Sequence, residues 1–371
     1  MSSDRGRILI LIPTFQPNDA VGNDALGMYH TFREAGYDTK VLAQFVHPAH
    51  EQITSVLSAD TAGPWDDPET ILIYHHAIDW DLGEQILAKS RNKIVIKYHN
   101  VTPPHFYSRY AEHYYWACVN GIRATERLAQ LPGTWICGDS QYNAQEFIRL
   151  GVAPDRCRVI APLHRIDDLA RVPFDAVVTG VYRDRVANIL FVGGIRPNKG
   201  HAKALEVLSA YKQMSDTPAR LIFAGNYDAN LKSYMDEMQE FVARLDLDPG
   251  EDVVFATSVS PSQLRSYYMG ASVFLCVSEH EGFCVPLVEA MSFRVPIVAW
   301  GTTAVGETAG NAGWVADHYE PGELASAAAE IIDNPATARE FAARGRQRYE
   351  TVFHTDAIKR KLLELVSEVA G

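Results

Sequence analysis

The sequence lacks any cysteine pattern: its five cysteines (Cys118, Cys137, Cys157, Cys276, Cys284) are scattered, odd in number and free of C-x-x-C spacing. That excludes a disulfide framework and a thiolate zinc site, and scattered thiols fit a reducing cytoplasm. Basic blocks are also missing. The chain has 34 Lys and Arg against 46 Asp and Glu, a net charge of −12, which argues against nucleic acid and against electrostatic docking on an anionic membrane. Apolar runs such as Ile8 to Pro13 are far too short to span a bilayer, so no transmembrane segment is expected. The polar start, Met1 to Arg7, passes straight into a core strand without the pattern of a signal peptide. A cytoplasmic location is therefore expected, with a peripheral seat at the inner face of the membrane left open. No G-x-G-x-x-G is present, so nothing supports a nicotinamide or flavin dinucleotide, and an oxidoreductase is the least favoured class. No aspartate pair with metal-binding spacing takes the place of the cations Arg196 and Lys199, and neither a metal nor a cofactor is expected.

What is present is length and apolar alternation. With 371 residues and 47% hydrophobic content, the chain suffices for two domains, each with its own core. Short apolar strands alternate with helical patterns twice over. In the first half the strands are Ile8 to Ile12, Thr39 to Ala43, Ile71 to Tyr74, Ile94 to Tyr98 and Thr134 to Cys137. In the second they are Ile189 to Val192, Arg220 to Ala224, Val253 to Ala256, Val273 to Val277 and Pro296 to Ala299. Such alternation predicts an α/β chain of two Rossmann-like, doubly wound parallel sheets. The expected domains are 1–170, on the acceptor side, and 188–354, for the phosphorylated sugar donor, with a hinge over 171–187 and a last helix within 355–371.

The most informative stretch runs from Val277 to Met291, reading VSEHEGFCVPLVEAM. A buried strand leads to Glu281, a glycine-containing turn follows, and Pro286 suits the first turn of a helix, from which Glu289 projects. Carboxylates accept hydrogen bonds from sugar hydroxyls, and unpaired amides around Leu287 and Val288 at a helix start favour phosphate. Two glutamates separated by seven residues are by themselves solvated surface charges; Gly282, Phe283, Pro286 and Ala290 between and beside them give the spacing meaning. Upstream, the strand Asn188 to Val192 runs into GGIRPNKG, Gly193 to Gly200. Gly193 and Gly194 permit close backbone approach, and Arg196 and Lys199 can neutralise a departing diphosphate, aided by the helix starting near His201.

These residues resemble glycosyltransferase family 4, whose E-x7-E signature stands here as E-GFCVPLV-E and whose G-R-L-x-x-x-K-G segment is matched by Gly193 to Gly200. The resemblance implies a GT-B fold, two domains facing each other across a cleft, with the last helix returning to the first domain. It implies that Glu281 contacts hydroxyls of the donor sugar, Glu289 the ribose, and the amides of Phe283 and Cys284 the sugar, with Val285 beside them. Lys199 matches the family lysine. Gly194 stands where the family arginine is usual, so Arg196 is expected to replace it, and Cys284 stands where glycine is usual. Arg294 also departs from the pattern. The loop Gly301 to Glu307 resembles the family's loop near the nucleotide.

In the first half, Pro13 to Asp24 leads to a helix expected over Ala25 to Ala35, with Asn23 as N-cap, Gly22 allowing close approach and Gly36 as C-terminal cap. On the bare residues this is a capped helix; the resemblance places Gly22 and Asn23 beside the donor diphosphate and acceptor. His99 ends the strand Lys93 to Tyr98 before HNVTPP, His99 to Pro104, and His75 and His76 share that position one strand earlier. HNVTPP is similar to a segment in a bacterial subgroup of family 4, many of whose members build surface glycans, which implies that His99 meets the donor sugar. Phe106, Tyr110 and Tyr114 recur every four residues, as in a helix packed on its own sheet.

The resulting expectation is a retaining, metal-independent hexosyltransferase with no cofactor. It would move a sugar from a nucleoside diphosphate sugar of UDP or GDP type to a hydroxyl acceptor (glycan, lipid-linked or small molecule), with His99, Arg196, Lys199 and Glu281 at the reaction centre. A GT-B epimerase or phosphorylase and a non-catalytic nucleotide-sugar-binding protein are the alternatives.

Overall fold

The computed structural model describes residues 5–371 except 18, 59, 60, 62 and 183, so part of the polar start and one residue of the expected hinge lie outside it. The chain divides into two compact units. The first comprises residues up to Pro104, Trp116–His164 and His354–Gly371; the second comprises His105–Tyr115 and Arg165–Phe353.

The first unit is built on β1 (Arg7–Phe15), β2 (Asp38–Val46), β3 (Thr54–Val56), β4 (Ile71–His76), β5 (Lys93–Tyr98), β6 (Trp135–Gly138) and β7 (Cys157–Val159). Their order is β3-β2-β1-β4-β5-β6-β7 and every pairing is parallel, with Ile8 of β1 opposite Thr39 of β2 and Ile71 of β4. The strands read as unbroken β-branched and aliphatic runs because helices cover both faces. The last helix, Thr355–Ala370, sets Ile358, Leu362, Leu365 and Val366 into the core of Ile8, Ile10, Met28 and Phe32. Burial of such side chains contributes about 1.5–3 kcal/mol each.

The second unit carries β8 (Ala187–Val192), β9 (Ala219–Gly225), β10 (Val253–Thr257), β11 (Val273–Cys276), β12 (Ile297–Trp300) and β13 (Gly313–Ala316), in the parallel order β10-β9-β8-β11-β12-β13. Its core joins Ile189, Phe191, Leu205, Leu208, Tyr211 and Phe223 to Leu324 and Ile331. All ten expected strands are present. In each sheet the strand order reverses beside the first strand, between β1 and β4 and between β8 and β11. Open α/β sheets bind their ligands at such a reversal, outside the carboxyl ends of the strands. Among the described residues no helix is long and apolar enough to cross a membrane.

Two local expectations need correction, and the stretch expected as a hinge holds a helix of its own. The stretch 171–187 contains a helix, Ala176–Val181, capped by Asp175, whose backbone N–H is held by Ser266 Oγ at 2.9 Å, and it belongs to the second unit. Its weak periodicity reflects the brevity of that helix. The aromatic tract does not form one helical stripe on its own sheet: Pro104–Phe106 is a 3-10 turn and the helix starts only at Glu112. Residues 105–115 pack instead with the second unit, where the Tyr110 hydroxyl donates to Glu237 at 2.9 Å, its ring meets Tyr234 edge-on, and the Tyr114 hydroxyl donates to Asp228. Finally, the helix after β1 spans Ala20–Glu34, not Ala25 to Ala35.

Candidate active site

In the second unit, β8 and β11 deliver two loops to the switch point, and Asn198 fastens them together. Its carbonyl accepts from the amides of Glu279 at 2.9 Å and His280 at 3.2 Å, while its Nδ2 donates to the His280 carbonyl at 3.1 Å. Close backbone packing makes this possible. Gly200, at φ +76°, is so near the end of β11 that a Cβ there would stand 2.1 Å from the Val277 carbonyl oxygen, and one on Gly225 would stand 1.9 Å from that of Gly193. Only glycine fits either position.

This junction puts Lys199 and Glu281 in contact. Lys199 Nζ donates to Glu281 Oε1 at 2.7 Å and Oε2 at 2.8 Å, and Ser278 Oγ adds a bond of 2.8 Å to Oε1. The Glu281 backbone is held from the third loop, its N–H reaching Thr303 Oγ1 at 3.0 Å and its carbonyl accepting from Ala304 at 3.3 Å. Burial works against the charge on Lys199, but Glu281 outweighs it and the ammonium is held above its ordinary pKa. Beside it, burial pushes His280 down to about 4, so this imidazole is neutral at pH 7. Arg196 stands with its guanidinium carbon 5.5 Å from the Tyr114 ring centroid and Nη2 3.9 Å from Asp228. Its Nε would lie 3.6 Å from a Cβ on Gly194, so the arginine side chain folds back over the glycine.

The helix after Glu281 starts at Val285, with Pro286 in its first turn. The Leu287 amide is not free, since it donates to the Cys284 carbonyl at 3.1 Å, and Glu289 sits in the second turn rather than the first. The unused donors lie slightly earlier: the amides of Gly194, Phe283, Cys284 and Val285 meet no protein acceptor among the described residues. Amides left unpaired at a helix start are ready partners for an anion.

Cys284 occupies a left-handed conformation, φ +76° and ψ 72°, where a side chain costs about 1–2 kcal/mol. Its thiol lies 3.8 Å from that of Cys276, and that contact, together with burial, pushes its pKa well up. We expect Cys284→Gly to leave stability within about 1 kcal/mol, because relief of strain offsets the lost thiol burial. Cys284→Val, branched at a positive φ, should instead lower it by about 2 kcal/mol; equal urea midpoints for the two variants would contradict this.

Glu289 is half-buried and accepts from the Tyr268 hydroxyl at 2.6 Å through Oε2, which leaves Oε1 for a ligand. Burial raises its carboxyl pKa above the ordinary 4.5 and Tyr268 only partly opposes that. The stability linked to its protonated form is fully present below pH 4.5 and lost as pH rises through the raised value. Glu289→Gln should therefore melt higher than the parent at pH 7 and match it at pH 4. An unchanged difference between the two pH values would remove the assignment.

In the first unit, Gly22 is buried, with the Gln16 carbonyl 2.4 Å from where its Cβ would be. The N-cap is Asp19, whose side chain accepts from the Gly22 amide at 2.9 Å; Asn23 lies inside the helix, its own amide bonded to the Asp19 carbonyl at 2.8 Å. A cap must stand outside the helical dihedrals, and the helix starts earlier than its apolar pattern suggests. His99 belongs to a buried polar cluster. Its Nδ1 is 2.8 Å from Asp139 Oδ2 and its Nε2 is 2.9 Å from His75 Nδ1 and 3.8 Å from Asp24 Oδ2. Lys97, fully buried, pairs with Asp139, stands 3.8 Å from Asp24 and donates to the Ile160 carbonyl at 2.7 Å. Both His99 ring nitrogens are thus already engaged by protein groups. Burial holds His75 neutral, and burial drives His76, bonded to Thr125 Oγ1 at 2.7 Å, down to about 3. Asp24, His75 and His99 have ligand atoms within 4.8 Å of one another, the spacing of a possible cation site, but hydrogen bonds and Lys97 account for that proximity.

Sequence reasoning missed Asn198, Ser278, Thr303, Tyr268, Lys97, Asp24 and Asp139. Lys97 was detectable as a cation set within the apolar run of the strand Lys93–Tyr98. Asp139 was detectable too, since Tyr98 is opposite Gly138 in the β5–β6 register and His99 and Asp139 are the residues that follow.

Residues 183–348, which contain all three loops of the second unit, match the family described as Glycosyl transferases group 1. Solved structures decide the architecture. The chain superposes on Anabaena HepE in complex with UDP and glucose with a TM-score of 0.76 and 17% identity, over 98% of this chain and 99% of that one. It superposes on sucrose-phosphate synthase from Thermosynechococcus elongatus with the same score, identity and coverage. The fold is GT-B. Among curated proteins, the GT-B chain is 29% identical to a D-inositol 3-phosphate glycosyltransferase of Acidothermus cellulolyticus, over 63% of this chain and 51% of that protein. It is 30% identical to a GDP-mannose:cellobiosyl-diphosphopolyprenol alpha-mannosyltransferase of Xanthomonas oryzae, over 50% of this chain and 46% of that protein. The chain spans about half the length of these curated relatives.

Proposed function

We propose that the protein is a retaining glycosyltransferase that moves a hexose from a nucleoside diphosphate sugar to a hydroxyl acceptor without a metal ion. The observation that carries this reading is the Lys199–Glu281 pair, set beside unpaired amides of Phe283, Cys284 and Val285 at the switch point of the second sheet. Similarity of that segment to the Glycosyl transferases group 1 family supports it, and UDP and glucose in the HepE complex favour a nucleotide-sugar donor.

In the proposed reaction the bond between the anomeric carbon and the diphosphate oxygen breaks as the acceptor oxygen forms its bond on the same face. The acceptor proton passes to the departing diphosphate. Negative charge grows on that leaving group, so a fixed ammonium and amides aimed at it favour the transition state over the ground state. Lys199 supplies the ammonium, and Arg196, folded over Gly194, supplies the guanidinium that the family places two residues earlier. Glu281 holds both Lys199 and sugar hydroxyls, while Oε1 of Glu289 takes a ribose hydroxyl. His99, engaged by Asp139 and His75, is assigned to the donor sugar with its orientation set by those partners. Location in the cytoplasm belongs to the same proposal, as does the use of UDP or GDP.

The test is thermal stability against UDP, GDP, ADP and dTDP, since a ligand at about 100 times its Kd stabilises by about 2.7 kcal/mol. A shift with one or two of these, lost in Glu289→Ala, supports the donor site. No shift with any of them overturns it. Incubation with the matching nucleotide sugar alone separates transfer from epimerisation, which needs no acceptor.

A further inference from the structure

Residues 105–115 come from the first half of the chain but pack in the second unit, where they bring Tyr107 and Tyr114 to Arg196. Tyr114 lies in the first turn of the helix Glu112–Ala129, its ring centroid 5.5 Å from the Arg196 guanidinium carbon. Tyr107, 4% exposed, backs that ring at 5.3 Å. A guanidinium over an aromatic face is held by the negative quadrupole of the ring, while its N–H edge stays open to another partner. The segment is anchored independently of Tyr114, because the Tyr110 hydroxyl donates to Glu237 at 2.9 Å and its ring meets Tyr234 edge-on.

One acid, Asp228, faces the same guanidinium. Its Oδ1 accepts from the Asn230 backbone N–H at 2.9 Å and from Asn230 Nδ2 at 3.0 Å, and its Oδ2 accepts from the Tyr114 hydroxyl. The bond from Tyr114 holds the Asp228 carboxyl below its ordinary pKa, so this side chain is an anion at pH 7. Oδ2 is also the oxygen that faces Arg196, yet Nη2 stands 3.9 Å from it, beyond a hydrogen bond. A carboxylate and a guanidinium left to themselves close to about 2.8 Å, in a charge-assisted pair that would compete with any phosphate for the same N–H groups. Here the tyrosine hydroxyl takes the oxygen and the tyrosine ring takes the guanidinium.

We propose that Tyr114 is a positioning residue that keeps Arg196 available to an anionic ligand, its ring holding the guanidinium and its hydroxyl occupying the carboxylate that would otherwise capture it. Tyr114 thereby supplies, from a distant part of the chain, the fixture for an arginine that folds back over Gly194. That the anion is the diphosphate of a sugar donor rests on the glycosyl-transfer reading above; the competition for Asp228 does not.

The test uses Tyr114→Phe, which keeps the ring and removes only the hydroxyl, alone and combined with Asp228→Asn. Arginine side-chain NMR of the full chain without ligand, with Arg196 assigned by its loss in Arg196→Lys, reads the competition directly. Rotation about the Arg196 Nε–Cζ bond should slow in Tyr114→Phe, as Asp228 captures the guanidinium, and return to the parent rate in the double variant. Calorimetric titration then uses UDP, GDP and inorganic pyrophosphate, with UMP and GMP as controls that lack the second phosphate. The diphosphate that binds the parent should bind Tyr114→Phe about tenfold more weakly, as loss of one charge-assisted contact predicts, and the double variant within about threefold of the parent. Monophosphate affinity should move by less than about twofold. Loosened packing alone would not be repaired by Asp228→Asn, which alters a further native contact. Unchanged rotation in Tyr114→Phe, a loss that Asp228→Asn leaves in place, or an equal loss for the monophosphate would overturn the proposal. The two readings separate cleanly: if neither diphosphate nor pyrophosphate binds the parent while capture is seen, transfer falls and the role of Tyr114 at Arg196 stands, whereas diphosphate binding without capture removes that role alone.

Discussion

Lys199→Ala is expected to lower turnover by about 10²–10³-fold while changing donor affinity far less, because the interaction it deletes matters most as charge builds on the diphosphate. The variant has a second effect. Glu281 is 8% exposed and both of its carboxylate oxygens bind Lys199 Nζ, at 2.7 and 2.8 Å, so the deletion strands a nearly buried charge. Removing one member of such a pair costs about 3–5 kcal/mol when burial is complete, and less here because the lysine side chain retains 23% exposure. Kinetics must therefore be measured well below the melting temperature of the variant. Lys199→Ala combined with Glu281→Gln removes the stranded charge and should regain stability without regaining rate. A double variant as fast as the parent would show that neither residue serves the leaving group; a rate regained in step with stability would assign Lys199 to folding alone.

The architecture was legible because two parallel sheets, covered on both faces, must be written as apolar runs separated by helical periods. Strands with that signature, such as Ile189 to Val192 and Ile71 to Tyr74, were placed to within a few residues. The strands that escaped, β3 (Thr54–Val56), β7 (Cys157–Val159) and β13 (Gly313–Ala316), are three or four residues long and lie at sheet edges, where one neighbour suffices and the apolar run shrinks. Helix starts were less legible: Asp19 caps a helix whose first turn is Ala20, Val21 and Gly22, and the apolar pattern registers only from Ala25 onward.

The candidate site was legible loop by loop and illegible across loops. Glycine, lysine and glutamate at the ends of strands mark a ligand crevice from local spacing alone. That Lys199 and Glu281, 82 positions apart, bind each other depends on Asn198 and Gly200, whose roles appear only when β8 and β11 lie side by side. Cys284 teaches a related lesson: its departure from the family glycine falls where the backbone takes a positive φ, so the strain is visible only once that dihedral is known. In the same way, His99 could be picked out by its place after β5, while the carboxylate that orients it comes from the end of the neighbouring strand.

Lys97→Met is expected to produce the largest loss of stability in the first unit, about 3–5 kcal/mol, read as a fall in its urea midpoint. Lys97 is wholly buried and is the cation shared by Asp139, with which it pairs, and Asp24, 3.8 Å away. Burial alone would raise both acids. His99 and Lys97 outweigh it at Asp139, which is held below its ordinary pKa, whereas burial prevails at Asp24, which is raised. Taking away the ammonium removes the opposing term, so Asp139 must either take up a proton or remain an uncompensated anion. Stability of the variant should consequently improve as pH falls toward the carboxylate range, opposite to the trend that a lost hydrogen bond alone would give. Lys97→Met with Asp139→Asn should recover part of the loss, and the shortfall from additivity measures the coupling between the two side chains. Because Asp139 also holds His99 Nδ1 at 2.8 Å, the single variant should loosen the imidazole as well. Its signature would be a changed pH profile of donor turnover at temperatures where the first unit is still folded. A cost below about 1 kcal/mol with an unaltered profile would mean that the cluster is held without its charge, and that His99 is oriented by His75 and local packing instead.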